Sequence, residues 1–280
     1  MRCVRSISRS RPAFRILLFH DIPASSLGIF AQLVAYIVKF HGVISPVEAA
    51  SLLNGESPPN FQKKSHRMPC LFSFDDGFLS NFSIAETVLR PHKIKALFFV
   101  APGLMTLTGP VQREAIIKKI FRGRGRSEQV NSETRLMNWQ ELDRLKQLGH
   151  VIGCHGMMHS RLSELDITAL RDEVINAGDL LDAKLQQRTD WYAFAFGDIG
   201  SINAPALQVI SERYRYCRSG IRGQNMAATP RLALNSDSIA LEVPFAYQKL
   251  LLEGGLDFYY SARRKKFKDM LLFNMASTAL

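Results

Sequence analysis

Two clusters in this chain have residue types and spacings that chemistry needs. The first is Ser73-Phe74-Asp75-Asp76-Gly77, which continues the apolar run Cys70–Phe74. Two adjacent carboxylates repel each other, so a neutralising cation is expected, and a divalent metal ion is the economical candidate. Acids ahead of a helix can instead satisfy free backbone N–H groups. A single Asp would be read that way; Asp-Asp-Gly at the end of an apolar strand points to function. The second cluster is Gly153-Cys154-His155-Gly156-Met157-Met158-His159. Histidines four apart can reach one metal from a helical turn or a tight loop, although chance and core packing also produce that spacing. The zinc-peptidase pattern of the same spacing needs Glu beside the first His. Gly156 stands there, so a general base must come from elsewhere, and Asp75 or Asp76 can supply it. Two imidazoles and one carboxylate leave a coordination position open for water, the arrangement of a catalytic zinc site.

These residues need elements to position them. Short apolar runs alternate with helical patterns, which predicts β-α units and a mainly parallel sheet. Strands are expected at 15–20, 70–74, 95–100, 150–154, 191–196 and 214–219, with a weaker seventh within 231–241. Helices are expected at 27–40, capped by Ser25 or Ser26, and at 46–53, 80–90, 138–148, 165–187 and 204–213. Gly149 suits a left-handed helix end. The stretches 54–67 and 122–127 read as loops, and a basic helix as spanning 256–273. Six or seven such units fit a closed or nearly closed barrel, whose active site lies at the C-terminal ends of its strands. The organisation expected is a basic lead-in at 1–14, a barrel domain at 15–241 and a helical appendage at 242–280.

In this order and on separate strand ends, the clusters resemble the polysaccharide deacetylases, the NodB homology group of carbohydrate esterase family 4. The resemblance spans about residues 15 to 220. It rests on Ser73 to Gly77, on Gly149 to His155 with His159, on Leu162-Ser163, on the run 95–100 and on the aromatic strand ending Phe196-Gly197. It implies a metal-dependent hydrolase on a distorted (β/α) barrel of about seven strands. Such an enzyme removes acetyl groups from an amino-sugar polysaccharide or lipid-linked sugar, chemistry that serves cell-surface polysaccharide biosynthesis. By the resemblance, Asp75 is the general base, and Asp76, His155 and His159 bind the metal. That donor set suits zinc, and also cobalt, nickel, manganese or iron. The chain departs from the family where Phe194-Ala195-Phe196-Gly197-Asp198 lacks the usual Pro and the strand carries no base-orienting Arg. No histidine follows His159, so the family's later acid is missing. His20, at the end of the first strand, is the candidate to complete the site as acid or substrate contact; a histidine bonding backbone there is the plain alternative. Two other readings remain: a catalytically weakened barrel that binds glycan or a biosynthetic partner without turnover, and a hydrolase of other C–N bonds.

Composition narrows the class further. The 280 residues carry 36 Lys+Arg against 25 Asp+Glu, a net charge of +11, with 46% hydrophobic and 22% charged residues. That is globular usage, not disorder. The four cysteines include no C-x-x-C pair, which argues against a zinc ribbon, a redox pair or a secreted disulfide scaffold. Basic residues concentrate at the N-terminus, at Arg122–Arg126 and at Arg263–Lys268 without any nucleic-acid-binding module, so no nucleic-acid partner is expected. The segment 262–273 sets Phe267, Met270, Leu271 and Phe273 among basic residues. This pattern fits either contact with an anionic membrane surface or packing on the barrel with the basic side in water. The Arg- and Ser-rich start has the composition of an organellar transit peptide or of a plain basic lead-in, and lacks a secretory apolar region. The expected location is cytoplasmic, with peripheral contact at the inner membrane.

Overall fold

The computed structural model describes residues 12–56, 67–122, 130, 131 and 133–277. Most of the N-terminal lead-in and of the loops at 54–67 and 122–127 lies outside the described residues. Six parallel strands follow the chain: β1 (Ala13–Phe19), β2 (Cys70–Phe74), β3 (Leu97–Val100), β4 (Val151–Cys154), β5 (Trp191–Ala193) and β6 (Tyr216–Arg218). Two short strands complete the sheet. β7 (Asn225–Met226) pairs antiparallel with the start of β1, and β8 (Asp237–Ser238) pairs parallel with β1 at Leu17 and Leu18.

The weak seventh strand expected within 231–241 is β8, and it lies at the seam. Leu234 makes a parallel bridge to Arg218, while the Ile239 N–H donates to Leu18 O at 3.0 Å. One segment thus touches both β6 and β1. Seven parallel strands curl into the distorted barrel expected from the sequence. β7 was not anticipated, since two residues carry no readable alternation.

Alternation along the strands separates two apolar clusters. Phe14, Ile16, Leu71, Leu97, Phe99, Trp191, Ala193, Tyr216 and Leu234 form one. Leu17, Phe19, Phe72, Phe74, Phe98 and Val100 belong to the other, together with the surrounding helices. Gly153 in β4 is dictated by this packing, because a Cβ there would lie 2.5 Å from the Phe99 ring.

The helices largely follow the patterns. α1 (Leu27–Phe40) is entered from a 3-10 turn, Ala24–Ser26, without a side-chain cap from Ser26, unlike the expected serine cap. α2 (Pro46–Leu53) starts on a Ser45–Glu48 capping box. α3 (Leu79–Ile84) continues through a π turn, Ala85–Leu89. α4 (Pro102–Met105) and α5 (Gly109–Ala115), the latter extended by a π turn Ile116–Ile120, occupy a stretch where no helix was expected. α6 (Trp139–Gln147) has an Asn138–Glu141 capping box and ends at Gly149, whose φ is 82°. The periodicity over 165–187 resolves into α7 (Ile167–Arg171), a π turn Asp172–Asn176 and α8 (Ala177–Leu185). α9 (Ala204–Arg213) precedes β6.

The tail holds α10 (Phe245–Leu252), a 3-10 turn Asp257–Tyr260 and α11 (Ser261–Ser277). Phe267 and Leu271 of α11 are buried, and the Phe267 ring packs on Phe194 at 5.7 Å. Of its amphipathic pattern, Phe267, Met270 and Leu271 therefore pack against the barrel core. Among the described residues, no helix is long and apolar enough to cross a membrane.

Candidate metal centre and active site

The C-terminal ends of the strands converge on one cavity of about 370 Å³. His20 follows β1, Asp75 and Asp76 follow β2, His155 follows β4, and Arg218 and Ser238 end β6 and β8; all line that cavity. His159, Phe196 and Phe121 complete the wall.

The turn after β2 separates the two adjacent acids. The Asp75 N–H still donates to Phe19 O at 2.9 Å, and Asn81 Nδ2 donates to Asp75 O at 3.2 Å. Asp76 and Gly77 then both adopt left-handed backbone, at φ 72° and 76°. A Cβ on Gly77 would come within 2.9 Å of Val100 Cγ1, so the turn needs glycine twice over. The two carboxylates acquire different main partners, although His155 Nε2 also lies 3.7 Å from Asp75 Oδ2. Asp75 Oδ1 accepts from Arg218 Nη2 in a buried ion pair, while Asp76 faces the imidazoles of His155 and His159.

His155 and His159 lie on a tight loop, not a helix. His155 Nδ1 is 2.7 Å from Ala193 O, and His159 Nδ1 is 3.1 Å from Lys119 O. A carbonyl only accepts, so each Nδ1 carries the proton and each Nε2 presents a lone pair. Those Nε2 atoms lie 3.5 and 3.2 Å from Asp76 Oδ1, a buried oxygen with no hydrogen-bond partner. Lone pairs converging on a carboxylate oxygen need a cation between them. Asp76, His155 and His159 can hold one metal ion, their ligand atoms all lying within 4.8 Å of one another. Asp75 is not among these donors, and its charge is met by Arg218.

Two groups that sequence reasoning missed support this geometry. The buried Glu173 accepts from the Met158 N–H at 3.1 Å and the Ser160 N–H at 2.8 Å, holding the histidine loop from beneath. Gly156 leaves space for it, since a Cβ there would lie 2.4 Å from Glu173 Oε1. Arg218 is the second group. β5 carries no arginine, as the sequence reading noted, but β6 supplies one from its last residue. Its guanidinium lies over Phe99, 4.8 Å from the ring centroid, with Ser236 Oγ 3.3 Å from Nη1. The strand-end rule that pointed to Asp75 and His155 applied equally to Arg218. His20 is exposed at the cavity wall. At the rim Phe196, at φ 67°, lies under the Arg122 guanidinium, 3.8 Å from its centroid, and 4.7 Å from the His159 ring.

Fold and donor set together define a class: distorted (β/α) barrels with a candidate metal centre at the C-terminal ends of their strands. The family model for polysaccharide deacetylase matches residues 62–213, and the chain belongs to that family. It is accordingly a carbohydrate deacetylase by family, a hydrolase. Among solved structures, the Streptococcus pyogenes deacetylase PplD in complex with acetate is similar at 19% identity, covering 87% of this chain and 99% of that one with a TM-score of 0.65. IcaB from Ammonifex degensii is also 19% identical, covering 86% of this chain and 96% of its own, with a TM-score of 0.62. A de-N-acetylase from Aggregatibacter actinomycetemcomitans shares 11% identity over 85% of this chain and 99% of its own, also at a TM-score of 0.62. A search of curated proteins finds no match. Arg218 and β8 lie beyond the segment that the family model matches.

Proposed function

We propose that the protein is a metal-dependent deacetylase that hydrolyses the C–N bond of N-acetyl groups on an amino-sugar polysaccharide or lipid-linked sugar. The observation that carries this is the division of labour between the adjacent acids: Asp76 joins two histidine lone pairs, and Asp75 is held apart by Arg218 in the same cavity. Asp76, His155 and His159 would hold the ion, zinc by preference, with cobalt, nickel, manganese or iron compatible with the same donors. When bound, such an ion supplies Lewis acidity, polarising the acetyl carbonyl and lowering the pKa of water.

The chain's own residues do the rest. Asp75, fixed by Arg218, takes a proton from water as the water oxygen bonds to the acyl carbon. The C–N bond then breaks, and the leaving nitrogen takes a proton from His20, the histidine that lines the cavity apart from the two metal-facing ones. Products are acetate and the free amine. Phe196 and Phe121 wall the cavity beside the reacting groups.

Acetate release from acetylated amino-sugar oligomers, with metal analysis of the same samples, tests the reading. Asp75→Asn should keep its metal and lose about 10²- to 10⁴-fold in turnover, the usual worth of a general base. His155→Ala should lose the metal itself. His20→Ala should lower kcat; unchanged turnover removes it from the mechanism. A second reading, glycan binding without turnover, is favoured by the absence of any histidine after His159. It prevails if metal-loaded wild type binds acetylated oligomers and releases no acetate.

A further inference from the structure

Phe258 and Tyr259 are the most exposed large apolar side chains among the described residues, at 83% and 75%. They are adjacent, with ring centroids 6.2 Å apart, on the 3-10 turn that leads into α11. The turn is firmly held. Asp257 accepts from Arg15 Nη2 at 2.7 Å and Nη1 at 3.2 Å, its carbonyl accepts from Arg264 Nη1 at 2.8 Å, and Ser261 Oγ donates to Phe258 O at 2.8 Å. The two rings are therefore presented by a fixed scaffold and not by a loose terminus.

Tyr259, Arg263 and Lys266 follow one another at i, i+4 and i+7, a spacing that places them on one side of the helical run. Arg263 and Lys266 are exposed, and neither pairs with a carboxylate among the described residues, whereas neighbouring Lys265 is bound by Asp269. Phe267 and Leu271, which continue the row of Arg263 at i+4 and i+8, enter the core, whereas Phe258 and Tyr259, on the turn before the helix, stay exposed. Two exposed aromatic rings beside cations that meet no carboxylate among the described residues, Arg263 lying over the Tyr260 ring at 4.9 Å, on a protein of net charge +11, form the composition that seats in the headgroup layer of an anionic bilayer.

We infer that the turn 257–260 and the outer side of α11 dock on an anionic lipid surface, with Phe258 and Tyr259 inserted and Arg263 and Lys266 on the headgroups. The surface is linked to the cavity. Arg264 Nη1 donates to Arg222 O at 2.6 Å, and Arg222 Nη2 donates to the carbonyl of Ser238, a cavity-wall residue, at 2.6 Å. A docked molecule would thus hold its active-site wall close to the lipid. The inference concerns binding alone and stands or falls independently of turnover.

Co-sedimentation of the full chain with phosphatidylcholine vesicles, with and without phosphatidylglycerol, tests it. Binding should require phosphatidylglycerol and weaken as salt rises. Phe258→Ser/Tyr259→Ser should cut binding at least about 10-fold, with an unchanged circular-dichroism melt as the control for folding. Arg263→Gln/Lys266→Gln should flatten the salt dependence, and Tyr259→Trp should show an emission blue shift on anionic vesicles. No binding at low salt overturns the inference, as does equal binding by the Phe258/Tyr259 variant. Concentration-dependent dimerisation that the serine variant abolishes would assign the patch to a second copy instead and overturn it too.

Discussion

At the scale of single residues, the site is organised by which charge each acid meets. Asp75 and Asp76 are neighbours in sequence, yet the left-handed backbone at Asp76 and Gly77 sends their side chains to different partners. Arg218 is 1% exposed and its cation–π partner Phe99 is fully buried, so its pair with Asp75 is shielded from water. Removing one member of such a pair leaves an uncompensated buried charge. Arg218→Met should therefore destabilise the fold by about 3–5 kcal/mol in urea unfolding and also depress acetate release. Arg218→Lys, which keeps the charge but loses the guanidinium fork, should recover part of the stability and less of the activity. Asp75, Asp76, His155 and His159 were legible in the sequence because each is marked by an immediate neighbour or by the four-residue interval. Arg218 was marked only by its place at a strand end, because its partner lies 143 positions away and no local interval encodes that pairing.

Elements were legible where the apolar pattern is long enough to repeat, and β4 shows what such a pattern conceals. The run His150–Cys154 reads as a strand, but His150 has a structural task that only the fold reveals. Its Nδ1 accepts from the Ala96 N–H at 3.1 Å, and its ring lies edge-on to Phe98 at 5.1 Å. Burial, with Lys95 nearby, pushes the His150 pKa down to about 4 from 6.5. The folded state then resists a proton that the unfolded chain accepts. The resulting stability is complete above pH 6.5 and is lost as pH falls towards 4. At 1.36 kcal/mol per pKa unit, the loss attributable to this one group is about 3 kcal/mol at the acid end. Urea unfolding of wild type and His150→Gln at neutral pH and at the acid end should show the wild type losing that much more than the variant. The helices at 102–120 escaped the sequence reading because Pro102, Gly103, Gly109 and Pro110 punctuate them. Those residues mark turns in general, and here the prolines stand at helix starts, where a missing N–H costs nothing.

At the scale of the whole molecule, the open question is whether the last forty or so residues ride on the barrel or belong to it. The apolar pattern at 262–273 allows packing on the barrel, but the sequence does not name the partners, which are distant in the chain. In the fold, Arg15 of β1 is 3% exposed and lies between Asp237 of β8 and Asp257 of the tail, at 2.8 and 2.7 Å. Burial pushes the Asp237 carboxyl up to about 6, with the Arg15 guanidinium pulling the other way. Gln248 of α10, fully buried, donates to the carbonyls of Leu241 and Val243, each at 3.2 Å. Leu251, Leu252, Phe267 and Leu271 join the same apolar cluster as Phe19, Phe74 and Val100. A tail tied by ion pairs and sharing that cluster should unfold with the barrel as one unit. Phe267→Ala should then lower the stability of the entire chain by about 3–5 kcal/mol, the usual cost of truncating a buried phenylalanine. The two tryptophans make the test selective, because Trp139 and Trp191 both lie within the barrel domain, on α6 and β5. Tryptophan fluorescence and far-ultraviolet circular dichroism should report one shared midpoint, shifted together by the substitution. Loss of helical signal ahead of an unmoved fluorescence midpoint would instead make α10 and α11 a separable appendage.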